Sequence, residues 1–251
     1  MSEETLNRRA FSAGVAATVA AAALLKDERA EAQQRTAAPV PMTLLATPAE
    51  KAVVPLPYAP GALTGLSERL VRSHHENNYA GAVRKLNEIR RQLASADPDQ
   101  SGGYWSLYGS LRAAELSARN SAHLHELYFS NLAAPPAGDA GVTPSAGVAA
   151  VLSARFGSVD RFQAQLRGAA KASNGWVALV VDPASRTLEL VQTEGHAFGA
   201  WEASPLVVLD MYEHAYAIDF GADKGAYLTA FWRCLHWAEV ERRLNRALTR
   251  A

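Results

Sequence analysis

With one cysteine, Cys234, among its 251 residues, the chain cannot form an internal disulfide. Cys234 lies in the run Phe231-Trp232-Arg233-Cys234-Leu235-His236-Trp237, where burial among aromatics is the expected fate of the thiol. An excess of either charge is also lacking, since 25 basic residues balance 25 acidic ones. Nothing therefore suggests a nucleic-acid surface. The uncharged stretch from Ser12 to Leu25 falls short of the ~20 apolar residues that cross a bilayer. No repeat with a period of about 20–50 residues is visible, which sets solenoids and propellers aside. Histidine is absent before His74. What remains is a chain of one or two domains, 49% apolar and able to bury a continuous core.

The N-terminal part reads as something other than fold. Arg8-Arg9 precedes the apolar stretch Ser12–Leu25, and Ala30-Glu31-Ala32 follows. That order is a twin-arginine export signal over residues 1–32, with an A-x-A cleavage site. The acidic Glu28 and Glu31 are atypical of one. Periplasmic or otherwise exported location is the expectation, with no membrane association beyond the signal. Residues 33–56 are rich in Pro, Thr and Ala without periodicity, which reads as a flexible tether.

Beyond it, the pattern is α+β. Leu66, Leu70 and Val71 around Ser67-Glu68 open a long helix reaching about Ala94. Leu111, Ala114, Ala118, Ala122, His125, Phe129 and Leu132, three or four apart, trace a second. The two make an N-terminal antiparallel helical hairpin over 57–134. A C-terminal domain over 143–251 follows the break at Pro135–Gly141. It carries two shorter helices (144–156 and 159–171), then strands at 176–181, 188–191 and 205–209, then helices over 224–248. A small three-stranded antiparallel sheet flanked by helices is expected.

The chemistry concentrates on four residues. Asp210 ends the third strand and His214 stands four residues on, while His74 and His125 sit on the apolar faces of the hairpin helices. Imidazoles and a carboxylate together suit Fe, Mn or Zn. Asp210-Met211-Tyr212-Glu213-His214-Ala215-Tyr216 resembles the D-x-W-E-H-A-Y signature of the iron/manganese superoxide dismutases. His125-Glu126-Leu127-Tyr128-Phe129-Ser130-Asn131-Leu132 resembles their H-x-x-F-W-x-N-L segment, and His74-His75 their first ligand helix.

The resemblance implies one Fe or Mn per subunit, held by His74, His125, Asp210 and His214. It implies conversion of superoxide to oxygen and hydrogen peroxide in a homodimer. It gives His196, on the loop after the second strand, the role of hydrogen-bonding the bound solvent. Trp176 corresponds to an aromatic lining the site, and Glu213 to a carboxylate that reaches the ligand histidine of the other subunit. The chain also departs from the family pattern. Asn78 stands for a His, Ala82 for the funnel Tyr, and Ala217 for the Tyr after H-A-Y. A metal-binding homologue with weak or lost activity is therefore the alternative. Tyr79 lies about 140° round an α-helix from His74, too far to restore the missing hydroxyl.

Overall fold

The computed structural model describes residues 49–103, 105–135 and 142–250. The twin-arginine segment 1–32 and residues 33–48 of the tether lie outside the described residues. Residues 50–251 form one compact unit.

Within the segment read as tether, Lys51–Val54 is tied to the hairpin. The Lys51 N–H donates to Asn87 Oδ1, and Asn87 Nδ2 donates back to the Lys51 carbonyl, each at 2.9 Å. The Val54 N–H donates to the Tyr79 hydroxyl at 2.8 Å.

Helix α1 (Glu68–Ser73) starts where the Ser67 hydroxyl accepts the Leu70 N–H, satisfying one of the donors a helix start leaves free. It runs into a π-helical turn, His74–Tyr79, and then α2 (Ala80–Ser95). The hairpin is completed by α3 (Leu107–Ser130), capped by Ser106. Leu86 and Ile89 meet Leu111 and Ala118 between the two arms. Small residues on α3 make that approach close, as the sequence pattern anticipates.

Helices α4 (Ala146–Phe156) and α5 (Val159–Ala172) are capped by Ser145 and Ser158. Between them Gly157 takes a φ of 92°, a left-handed turn that a Cβ disfavours. Three strands follow: β1 (Trp176–Asp182), β2 (Thr187–Thr193) and β3 (Ser204–Asp210), in the antiparallel order β2-β1-β3. Central β1 is buried along nearly its whole length, as a continuous apolar run should be. The chain closes with α6 (Ala217–Phe220), α7 (Lys224–Arg233) and α8 (Trp237–Arg250). The fold is thus α+β, with the hairpin and the sheet domain sharing one core that includes Leu70, Ala122, Phe129, Val177, Val208 and Phe231.

One buried side chain fixes the hairpin on the sheet. Asn131, at the end of α3, donates from Nδ2 to the Leu206 carbonyl (3.0 Å) and accepts the Val208 N–H (2.7 Å). Arg243 of α8 joins it, donating to Asn131 Oδ1 and to the Leu206 carbonyl. Asn131 therefore locks the C-terminal end of α3 to β3, and so sets His125 against Asp210.

Candidate metal centre

Four elements deliver one side chain each. His74 opens the π turn, His125 lies in the last half of α3, Asp210 ends β3, and His214 lies in the short 3₁₀ turn after it. Their ligand atoms all fall within 4.8 Å of one another, and His74, His125 and Asp210 are buried. They form the one such group among the described residues. Asp210 Oδ2 lies 3.1 Å from His74 Nε2, 3.2 Å from His214 Nε2 and 3.5 Å from His125 Nε2.

The hydrogen bonds around this group decide which atoms are free. His125 Nδ1 lies 2.7 Å from the Ser121 carbonyl, which can only accept, so Nδ1 carries the proton. His125 Nε2 is then a bare lone pair, buried and without a hydrogen-bond partner among the described residues. It faces a carboxylate oxygen, another acceptor. Two buried acceptors aimed at each other are unfavourable unless a cation lies between them. The donor set therefore fits a metal ion. Three imidazoles and one carboxylate are the chemistry of Fe, Mn or Zn, not of a hard all-oxygen site.

Electrostatics agree. Burial pushes the Asp210 carboxyl up, but hydrogen bonds from His214 and His74 outweigh it and hold the group below the ordinary carboxylate range. Burial, followed by the neighbouring His74, pushes His125 down to about 3, and burial likewise lowers His74. Both imidazoles are therefore neutral at physiological pH, as ligation requires. Asp210 is anchored twice more: Oδ1 accepts the Tyr212 N–H at 2.9 Å, and its backbone carbonyl accepts the Tyr227 hydroxyl at 2.8 Å.

Trp176 and His196 stand beside the four. Strand register sets Trp176 opposite Asp210 on one side and Thr193 on the other. Gly175, just before it, is required there, because a Cβ would collide with the Thr193 carbonyl oxygen. The Trp176 indole N–H donates to His196 Nδ1 at 2.9 Å. Indole can only donate, so the neutral His196 ring carries its proton on Nε2. Asn120 holds the same residue from behind, donating to the His196 carbonyl at 2.8 Å. Burial lowers the His196 pKa.

Tyr212 stacks between His214 and His196, with centroid separations of 5.5 and 4.8 Å. Phe129 packs 5.0 Å from the His74 ring. Glu213 is exposed, and among the described residues no group of its own chain pairs with its carboxylate.

Two features differ from what the sequence suggests. The π turn adds a residue to the first ligand helix, with the Ala80 N–H reaching the His75 carbonyl. Straight α-helical spacing therefore misplaces Tyr79, whose ring is buried 6.2 Å from that of His125. Its hydroxyl is still not directed at the cluster, because it donates to Glu126 Oε1 at 2.7 Å. Of the supporting residues, Asn131 stands in the segment resembling H-x-x-F-W-x-N-L, whereas Asn120 and Tyr227 carry no sequence signal. Arg243 alone interrupts the apolar stripe of Val240, Leu244 and Ala247, a charge where the helix face demands none.

Comparison with known proteins agrees with this geometry. Residues 144–243 match the family described as iron/manganese superoxide dismutases, C-terminal domain. The superoxide dismutase [Fe] of Cupriavidus metallidurans is 40% identical over 197 residues, covering 77% of this chain and 96% of the relative. Superoxide dismutase [Mn] 1 of Halobacterium salinarum is 35% identical over 199 residues, 78% of this chain and 96% of the relative. Superoxide dismutase [Fe] of Pyrobaculum aerophilum is 33% identical over 206 residues, 77% and 92%. With near-complete coverage of these relatives and a four-residue cluster at the positions its signature marks, the chain belongs to the iron/manganese superoxide dismutases.

Proposed function

We propose that the protein is a superoxide dismutase whose Fe or Mn ion is held by His74, His125, Asp210 and His214. The observation that carries the reading is the bare Nε2 lone pair of His125, buried and facing Asp210. An Fe or Mn ion would supply the one-electron couple that converts superoxide alternately to oxygen and hydrogen peroxide. Asp210 contributes the single negative charge of the donor set, and imidazoles, which ligate as neutral rings, add none. His196, with its Nε2 proton fixed by the Trp176 bond, offers a hydrogen-bond donor to solvent at the site. Such a donor biases the redox poise of a neighbouring ion. Relatives named for Fe and for Mn match at similar identity, so either ion suits the reading.

Glu213, exposed and without a pairing group among the described residues, favours a homodimer, in which it would reach His214 of a second copy and fix that ring through its other nitrogen. The Arg8-Arg9 signal favours export. Asn78, Ala82 and Ala217 support the second reading, a metal-binding homologue with weak dismutation. Metal analysis of the purified protein beside a dismutation assay separates the two. Metal with activity that is lost in Asp210→Ala and His214→Ala supports dismutase function. Metal without activity supports the weaker homologue, and unchanged metal in both variants removes the ligand assignment. Fractionation of cells expressing Arg8→Lys with Arg9→Lys tests export, since retention in the cytoplasm is expected.

A further inference from the structure

The strap Lys51–Val54 crosses the hairpin beside the clustered histidines and reaches both of its arms. On the first arm, Asn87 of α2 holds the Lys51 backbone in a two-way pair, each bond 2.9 Å. The Val54 N–H donates to the Tyr79 hydroxyl at 2.8 Å. His75 Nε2 lies 2.9 Å from the Val54 carbonyl, which can only accept, so that nitrogen is the donor. On the second arm, Lys51 Nζ pairs with Glu126 Oε1 of α3 at 2.7 Å. The same oxygen accepts the Tyr79 hydroxyl, also at 2.7 Å.

Two of these anchors adjoin a member of the cluster. His75 directly follows His74, and Glu126 directly follows His125. Tyr79 closes the π turn that His74 opens. With His74, His125 and Asp210 buried, an ion among them leaves only when one element swings away from the others. Asn131 and Arg243 fasten α3 to β3. The strap fastens the first arm to α3 at the level of the two histidines. We infer that Lys51, Tyr79 and Glu126 form a clasp that holds His74 and His125 in ligating position and slows escape of the ion, an inference that rests on the ligand assignment above. The hairpin carries its own comparison. Arg90 Nε and Glu115 Oε1, 3.3 Å apart, join the same two arms with side chains 25% and 22% exposed, against 28% and 20% for Lys51 and Glu126. Glu115 lies about 16 Å from Glu126 along the axis of α3. A general brace would serve equally at either place, whereas a clasp on the ligands works only at Glu126.

Protein loaded with manganese or iron is mixed with excess EDTA, and the metal left on it is measured over time, beside calorimetric melting of each variant. Lys51→Met should speed release about three- to fivefold, the worth of a partly exposed ion pair. Tyr79→Phe, which keeps the ring and loses two hydrogen bonds, should speed it about tenfold. Lys51→Arg should restore the wild-type rate. Arg90→Met should lower the melting temperature as Lys51→Met does and leave release unchanged. Release as fast in Arg90→Met as in Lys51→Met would make the strap a general brace and overturn the inference. Wild-type release from both Lys51→Met and Tyr79→Phe overturns it too, while a wild type that holds its ion leaves the ligand assignment standing. A wild type that retains neither metal overturns that assignment and the clasp with it. If Tyr79→Phe does not fold, the comparison of Lys51→Met with Arg90→Met decides.

Discussion

His125→Leu separates what this residue does for the fold from what it does for the metal. The substitution removes the Nδ1–H bond to the Ser121 carbonyl, a loss of about 1 kcal/mol. It also removes the unsatisfied Nε2, a relief of about 1–3 kcal/mol, and puts an apolar side chain in a site only 1% exposed. The metal-free variant should therefore be as stable as the metal-free wild type, or more stable by about 1–2 kcal/mol. A buried substitution ordinarily costs about 1 kcal/mol, so the sign is diagnostic. At this chain length each kcal/mol moves Tm by about 2–4 °C.

The metal-loaded proteins should behave in the opposite way. An ion at a thousandfold excess over its Kd stabilises the wild type by about 4 kcal/mol, and the variant should gain nothing. Scanning calorimetry with and without chelator, beside metal analysis, measures both. A metal-free variant melting several degrees below the metal-free wild type would refute the reasoning. So would a variant that keeps one ion per chain and the thermal shift it confers.

Other consequences can be checked singly. Trp176→Phe removes the donor to His196 Nδ1 and frees the imidazole tautomer, so dismutation should fall about 10–100-fold with metal retained; activity within twofold would leave His196 without a role at the site. Glu213→Ala should lower dimer content at low concentration in sedimentation and reduce activity while each subunit stays folded; an unchanged dimer with normal metal would make Glu213 an ordinary surface charge. Burial pushes the Cys234 thiol up to about 11, so iodoacetamide at pH 8 should label it only after unfolding. Above its ordinary pKa near 9 the unfolded chain loses that proton first, so stability should decline as pH rises from about 9 to 11; a flat stability profile there, or rapid native labelling, would contradict the buried assignment. Ala82→Tyr should raise turnover at high superoxide flux in pulse radiolysis, by supplying a proton donor that general acid catalysis values at about 10²–10⁴-fold; no gain would mean that protons arrive by another path.

The sequence by itself determined the elements and the identity of the four clustered residues. Helices over 68–95 and 107–130 and the three strands follow from period and breakers, because a side chain's face is set by local geometry. Asp210 and His214 are close in sequence, on one strand end and the turn after it, so their proximity was legible without a fold. Only the tertiary structure decided that His74 and His125 meet them. That meeting depends on Asn131 and Arg243 locking α3 to β3 through bonds spanning 75 to 112 residues. It also decided the π turn that moves Tyr79, since an extra residue in a helix leaves the apolar spacing ambiguous. The His125 lone pair, finally, is a product of two contacts made by one ring. The Ser121 carbonyl four residues back fixes its proton, and Asp210 on another element faces its bare nitrogen.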